Sequence, residues 1–460
     1  MTPTAELIQP EVQELVRDGA YSELRAALKG LQPADVADIL ASLEPEQAAV
    51  AFRFLPRDDA GEVFAYLDPE LQEQLVLKLG DSALRVIEGM SADDRVRLLD
   101  ELPAEVAQRL IASLPTEERR QTQAILGYPT GSVGRLMTPD YVRLRPDWSV
   151  QYALEHIRRY GRDAETINMV YVVDDKGVLI DDIRLRSLLL ADPAQTVESL
   201  MTRNYVALSA DQPQEEAVRA MSRYDRVALP VVDSRGVLLG IVTVDDVQDV
   251  AEEEATEDIQ KLGGVQALEQ AYIQTGTVEM FRKRGVWLGA LFVGQTITIL
   301  VLGAYQDKIE RAGVLAIFLP LVISCGGNSG SQAATLVTRA LALGEVTPAD
   351  WLRIIRREVL TAALLAVTLG ALGFVCVELF TRAGHPRTDF PLQVGVTICA
   401  AIVSVVMWGT MLGSLLPLAL KRLRLDPATA SSPMVATLMD ASGTLIYLTI
   451  AVLVLTGTVM

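Results

Sequence analysis

The sequence predicts a multi-domain chain: an α-helical superhelical N domain, tandem α/β domains, a connecting helix and a five-helix transmembrane domain. Three observations predict it. Leucines recur at a spacing of about twelve through the first part of the chain, most of them soon followed by proline. A strand-bearing block then occurs twice, and beyond Arg284 the chain is a series of long apolar stretches. The expected domains are residues 1–129, 130–199, 200–250, 251–281 and 282–460.

Charge separates the halves. The 460 residues carry a net charge of −18, a balance that argues against nucleic acid as a partner and for cations. Glu6, Glu11, Glu14 and Asp18 leave no charged-then-apolar leader at the start, so the first half is expected in the cytosol. Cys325, Cys376 and Cys399 fall in apolar stretches and the only histidines are His156 and His385, so neither a disulfide framework nor a Cys/His metal site is expected.

In the N domain Leu31, Leu43, Leu55, Leu67, Leu79, Met90, Leu102 and Leu114 set the period, and Pro33, Pro45, Pro56, Pro69, Pro103 and Pro115 follow closely. Proline starts a helix well and continues one badly, so each unit reads as a short helix restarted at a turn. Such units cannot bury their apolar faces singly, which predicts a stacked right-handed superhelix. An ordinary helical bundle with proline-led turns is the competing expectation.

The duplication comes next. Leu136-Met137-Thr138 answers Leu200-Met201-Thr202, and Val172-Val173-Asp174 with Gly177 answers Val231-Val232-Asp233 with Gly236. In the second copy, residues 214–222 read as helix, 228–232 and 237–243 as strands joined by a turn, and 244 onward as helix. With Gly240-Ile241-Val242-Thr243-Val244-Asp245-Asp246, this block resembles a pair of cystathionine-β-synthase-type (CBS) domains. The resemblance implies an adenine-nucleotide site at Thr243 and Asp246. The first copy has Arg184 and Ser187 at the matching positions, and a dimerising scaffold without nucleotide is the other reading.

Asp245, Asp246, Asp249, Glu252, Glu253, Glu254, Glu257 and Asp258 then crowd one helical run. Like charges at i,i+4 destabilise a helix by a few tenths of a kcal/mol each, and hard divalent cations would relieve that. A solvated linker is the alternative.

Five spans are expected near 285–304, 313–341, 357–380, 391–420 and 431–459. Arg282, Lys283, Arg284, Arg339, Arg353, Arg356, Arg357, Lys421, Arg422 and Arg424 flank one side, against Lys308, Arg311, Arg382 and Arg387 on the other, which places the N-terminus in the cytosol and the C-terminus outside. The last span starts with Ser432 as N-cap and Pro433 at the first helical position. Asp440 lies some two turns inside it, where a carboxylate costs at least ~2.5 kcal/mol and is expected to face water or a cation; a counterion role is the alternative. In the second span Pro320 is expected to interrupt the helix, and Ser324-Cys325-Gly326-Gly327-Asn328-Ser329-Gly330-Ser331-Gln332 follows. Glycines there either expose carbonyls to a pore or let helices pack closely.

At Gly326-Gly327-Asn328-Ser329-Gly330, Pro433-Met434-Val435-Ala436-Thr437-Leu438-Met439-Asp440 and Ala255-Thr256-Glu257-Asp258-Ile259, the chain resembles the MgtE family of magnesium channels, along nearly its whole length. The resemblance implies a homodimeric, multi-pass protein of the prokaryotic plasma membrane, in contact with lipid, that is a Mg²⁺-selective channel and not an enzyme. It implies a pore lined by the second and fifth spans, with Asp440 as the ion-binding acid, Ala436 and Asn328 beside it, and Asp426 towards the cytoplasm. It further implies cytosolic Mg²⁺ sites from Asp94, Glu215, Asp225, Asp246, Asp249, Glu254, Glu257 and Asp258, with the Gly134 and Ser222 carbonyls, that close the channel. Ser432 stands where familiar members carry Asn, Ser324 where they carry Gly, and Pro213 replaces an acid. Expected ligands are Mg²⁺ and ATP. Two other readings stay open: a secondary carrier of another divalent ion such as Co²⁺, and a membrane-anchored nucleotide sensor.

Overall fold

The computed structural model describes the chain except residues 1, 81–82, 269–271, 274, 312, 384–389 and 457–460, so His385, Arg387 and the end of the last expected span lie outside the described residues. The chain divides into two compact units, Met1–Ala251 and Glu252–Met460.

The first unit opens with short helices from Pro3–Asp18 to Thr116–Leu126. The same local turn recurs between them. The N–H groups of Leu43, Leu55 and Leu67 donate to the carbonyls three residues back, of Leu40, Phe52 and Phe64, at 3.1, 3.2 and 3.2 Å. Each of these leucines is buried, as are Leu79, Met90, Leu102 and Leu114, and proline restarts the chain with Pro33 and Pro45 inside the first turn of their helices. The period is thus a packing period: one leucine per turn enters a shared core.

Two three-stranded sheets follow. In the first, β1 (Arg143–Leu144) pairs parallel with β2 (Met169–Val173), which pairs antiparallel with β3 (Leu179–Arg184). The second repeats this with β4 (Leu208–Ser209), β5 (Ala228–Val232) and β6 (Leu238–Thr243). Asp174 Oδ1 accepts from the Lys176 and Val178 N–H groups at 2.8 Å each, and Asp233 Oδ1 does the same for Arg235 and Val237 at 2.8 and 2.9 Å. The copies embrace at these turns: Leu179 N–H donates to the Gly236 carbonyl and Leu238 N–H to the Gly177 carbonyl, both at 3.0 Å.

β6 runs straight into the helix Val244–Leu262. The expected connecting helix over 251–281 is therefore shorter and starts earlier. It stops where Gly264 takes φ +73° and the Val265 N–H turns back to the Gln260 carbonyl at 3.0 Å.

Among the described residues the second unit holds five helices long and apolar enough to cross a membrane: the first span Thr277–Ala304, the second Val314–Ala342, the third Trp351–Arg382, the fourth Pro391–Arg422 and the fifth Ser432–Leu455. Two expectations are corrected. The cap of the fifth span is Ser431, whose Oγ accepts from the Met434 N–H at 3.4 Å, with Pro433 one position later than expected. The second span is continuous through Pro320 and its glycines.

Gly326, Ser329 and Gly330 are buried against the fourth and fifth spans, because the chain opposite is also glycine. A Cβ on Gly330 would stand 2.8 Å from the Gly409 carbonyl oxygen and 2.9 Å from Val435 Cγ1. Ser329 and Thr410 join hydroxyls across the seam at 2.7 Å. These glycines serve close helix packing, and their carbonyls stay in the helix. The first span has no buried residue and lies along the fifth in parallel register, with Gly294 against Thr437 and the Tyr305 hydroxyl 3.2 Å from that of Thr449.

Gly330→Val should overpack this seam, lowering the stability of the membrane unit by about 1–3 kcal/mol, whereas Gly289→Ala, which meets nothing within 4 Å, should be neutral. Thermal unfolding of the two variants in detergent checks this.

Candidate functional site

Asp440 sits two turns into the fifth span, half-buried. Its Oδ2 accepts from Gln295 Nε2 of the first span at 2.9 Å. That amide is a partner the sequence reading missed; the available signal was a lone amide in an otherwise apolar span. Ala436 precedes Asp440 by one turn and is also half-buried. Asn328 falls between Gly326 and Gly330, which face Met439 and Val435, so it stands at the depth of residues 435–439. It occupies the exposed side of its helix and donates to Ser324 Oγ at 3.3 Å. The glycine run thus has one face for packing and one exposed polar face.

Asp426 begins the turn Pro427–Thr429 that leads into the fifth span, its Oδ1 accepting from the Ala428 N–H at 2.9 Å. Its Oδ2 accepts from Lys261 Nζ at 2.6 Å, and Lys261 also pairs with Glu257 one turn back on its own helix. Burial works against the Lys261 ammonium, but Asp426 and Glu257 outweigh it and push its pKa up. Glu254, Glu257 and Asp258 share one face of the helix by their i,i+3 and i,i+4 spacing. Lys261, four residues after Glu257, was the legible signal missed.

In the first unit Asp94 sits in the first turn of the helix Ala92–Glu101, next to buried Asp93. Asp245, Asp246 and Asp249 from the start of the helix Val244–Leu262 bear on this pair electrostatically. Burial, then Asp93, pushes the Asp246 carboxyl up to about 9; burial, then Asp94, pushes Asp93 up to about 6. Arg97 Nη1 lies 3.2 Å from Asp249 Oδ2. Arg95 is buried and donates to the Ile87 and Met90 carbonyls at 3.0 and 2.8 Å.

Gly134 lies under the Tyr128 ring, where a Cβ would come within 2.5 Å of Cγ. Glu215 opens the helix Glu215–Tyr224 and Ser222 lies on the same face about 10 Å further along. Asp225 ends that helix in a left-handed turn at φ 49°. The expected cytosolic ligands are thus spread over several elements. Among the described residues no group of three or more His, Cys, Asp or Glu side chains is placed to hold a metal ion within one chain.

At the expected nucleotide motif, Thr243 is buried and its hydroxyl donates to Asp246 Oδ2 at 2.5 Å. The two side chains satisfy each other amid acids that would repel phosphate. A cavity of about 740 Å³ opens instead at the first copy's motif, lined by Arg184, Arg186, Arg226, Asn168, Met169 and Leu189 among others. Arg226 is held 3.1 Å from buried Asp182.

Family models match in sequence along the chain: an MgtE intracellular N domain at 31–131, CBS domains at 133–193 and 197–253, and a divalent cation transporter, MgtE, at 319–450. The magnesium transporter MgtE of Thermus thermophilus is 38% identical over 98% of this chain and 99% of its own length, and that of Bacillus subtilis 32% over 95% of each. Among solved structures, the cytosolic domain of the Mg²⁺ channel MgtE in complex with ATP is similar at 38% identity and TM-score 0.51, covering 53% of this chain and 99% of that one. The soluble part of a magnesium transporter is similar at 25% identity and TM-score 0.52, covering 55% and 99%. Because the likeness runs end to end and each domain meets its own model in order, the chain belongs to the MgtE family of divalent cation transporters.

Proposed function

We propose that the chain is a magnesium-selective channel that carries Mg²⁺ through a membrane past Asp440 and closes when Mg²⁺ binds its cytosolic acids. The observation that carries this is Asp440: a carboxylate inside a membrane-spanning helix, with an uncharged amide as its hydrogen-bond partner. A carboxylate so placed belongs to an ion path by its cost alone. The relatives that align end to end are magnesium transporters, which favours Mg²⁺ over a Co²⁺ carrier or a nucleotide-sensing anchor.

One carboxylate cannot encircle an ion, so the working unit is a homodimer with two Asp440 side chains near its two-fold axis. Mg²⁺ dehydrates reluctantly and passes through as a largely hydrated ion. The basic flanks at Arg282–Arg284, Arg353–Arg357 and Lys421–Arg424 put the N-terminus in the cytosol of a prokaryotic plasma membrane and the C-terminus outside. Asp440→Ala should abolish Mg²⁺ entry into proteoliposomes; entry at the wild-type rate would sink the assignment.

The gate uses the crowded acids. Without divalent ions burial and neighbouring acids hold the Asp93, Asp94 and Asp246 carboxyls above their ordinary pKa, and Mg²⁺ relieves that by bridging acids of this cluster. A swing from 1:99 to 99:1 needs about 5.5 kcal/mol, which several weak sites supply together. Asp249, Glu254, Glu257 and Asp258 all changed to Ala should leave the channel open at Mg²⁺ levels that shut the wild type, and remove Mg²⁺-dependent protection from protease. In the wild type that protection should strengthen between pH 6 and 9, because Mg²⁺ must displace the protons that Asp93 and Asp246 retain.

ATP is the nucleotide bound by the similar cytosolic domain, and the arginine-lined cavity of the first copy is the site we favour for it here over Thr243 and Asp246. Arg184→Ala should weaken ATP binding to the full-length protein about tenfold by calorimetry, with Thr243→Val unchanged.

A further inference from the structure

We infer that Gln295 is a specificity-determining residue of the Asp440 site: by holding one carboxylate oxygen in a hydrogen bond, it makes two-oxygen chelation costlier for cations that shed water more easily than Mg²⁺. The inference rests on Asp440 being the ion site proposed above.

The geometry behind it is local. Gln295 Nε2 donates to Asp440 Oδ2 at 2.9 Å. The amide is brought there by packing, because its neighbour Gly294 lets the two helices close up; a Cβ at Gly294 would already be 3.3 Å from Thr437 Cγ2. A second rung, the Tyr305 and Thr449 hydroxyls at 3.2 Å, keeps the first and fifth spans in the same register nearer their other ends. Gln295 is half-buried on a helix with no buried residue, so its amide is spent on the carboxylate and not on the core of the unit.

With one lone pair of Oδ2 engaged, Oδ1 is the oxygen of Asp440 that keeps both lone pairs for ligands. A cation that keeps its water shell needs only an acceptor for one of those waters, and a single oxygen serves. Ca²⁺ takes six to eight oxygen ligands and readily accepts a carboxylate through both oxygens. To do so here it would have to share Oδ2 with the Gln295 N–H or displace it, and either weakens a charge-assisted hydrogen bond. The amide therefore penalises the ion that binds directly and leaves the hydrated one unaffected, which is discrimination by an added cost to the competitor.

The test uses full-length protein in liposomes loaded with a Mg²⁺-sensitive dye, with external CaCl₂ as competitor. Gln295→Met, close to isosteric but without a donor, and Gln295→Ala should both still pass Mg²⁺ while the Ca²⁺ concentration giving half-block falls about tenfold. Thr449→Val removes the other polar rung between the same helices and should leave Ca²⁺ block unchanged. Unaltered Ca²⁺ block in both Gln295 variants, loss of Mg²⁺ flux in both, or an equal drop in Thr449→Val would overturn the inference and leave Gln295 as helix packing. Asp440→Ala run alongside separates the two readings: if it conducts like wild type, the ion site itself is wrong, and if it is silent while the Gln295 variants match wild type, only the role of Gln295 is.

Discussion

A carboxylate in a medium of low polarity has to be hydrated, paired or protonated, and both units of this chain are arranged around that constraint. In the membrane unit, Asp440 has an amide where a basic partner would neutralise it. Tight glycine seams between the second and fourth spans take in Ser329, bonded to Thr410, and leave Ser324 and Asn328 on the other face of the second span. Packing and ion chemistry are thereby divided between two sides of one helix: Gly326 and Gly330 build the wall, and Ser324 and Asn328 are its exposed surface.

In the first unit the constraint takes the opposite form, since acids are brought near one another. The helix that β6 feeds carries Asp245, Asp246 and Asp249 up against Asp93 and Asp94, and burial together with these neighbouring charges raises the cost of ionising Asp93, Asp94 and Asp246. Buried Arg95 offers little relief, because its guanidinium is already engaged by the Ile87 and Met90 carbonyls. A cluster held this way is poised: protons or divalent ions can neutralise it, and monovalent side chains alone do not.

Much of the fold was legible because its determinants are local. The leucine and proline period could be read because the turns at Leu43, Leu55 and Leu67 use the same i to i−3 hydrogen bond, and the duplication because Asp174 and Asp233 make the same turn. What was misread depended on partners far away in sequence. Tandem serines at the start of the fifth span do not say which of them caps it. The glycines of the second span suggested exposed carbonyls, because nothing nearby reveals that Gly409 and Gly413 lie opposite. The nucleotide motif at Thr243 and Asp246 is local and was legible, but the acidity that Asp93 brings to it from another domain was not. Gln295 carried a signal of its own, but an amide in an apolar span does not name the carboxylate it serves.

The end of the connecting helix ties these elements together. Lys261 holds Glu257 on its own helix and Asp426 at the turn before the fifth span, so an ammonium already occupies the ground between two acids that a divalent ion would bridge. Just beyond it, a Cβ at Gly264 would stand 2.9 Å from the Trp287 ring of the first span and 3.2 Å from Pro433 of the fifth. The first span at Trp287 and the fifth at its first turn, which together form the Gln295–Asp440 pair further along, thus both meet the point where the connecting helix stops. Interiors packed this closely do not deform smoothly, so a displacement of that helix is passed on as a shift of one span against the other. The hydrogen bond on Asp440 is the polar contact that such a shift would strain first, because it joins those two spans at the carboxylate itself.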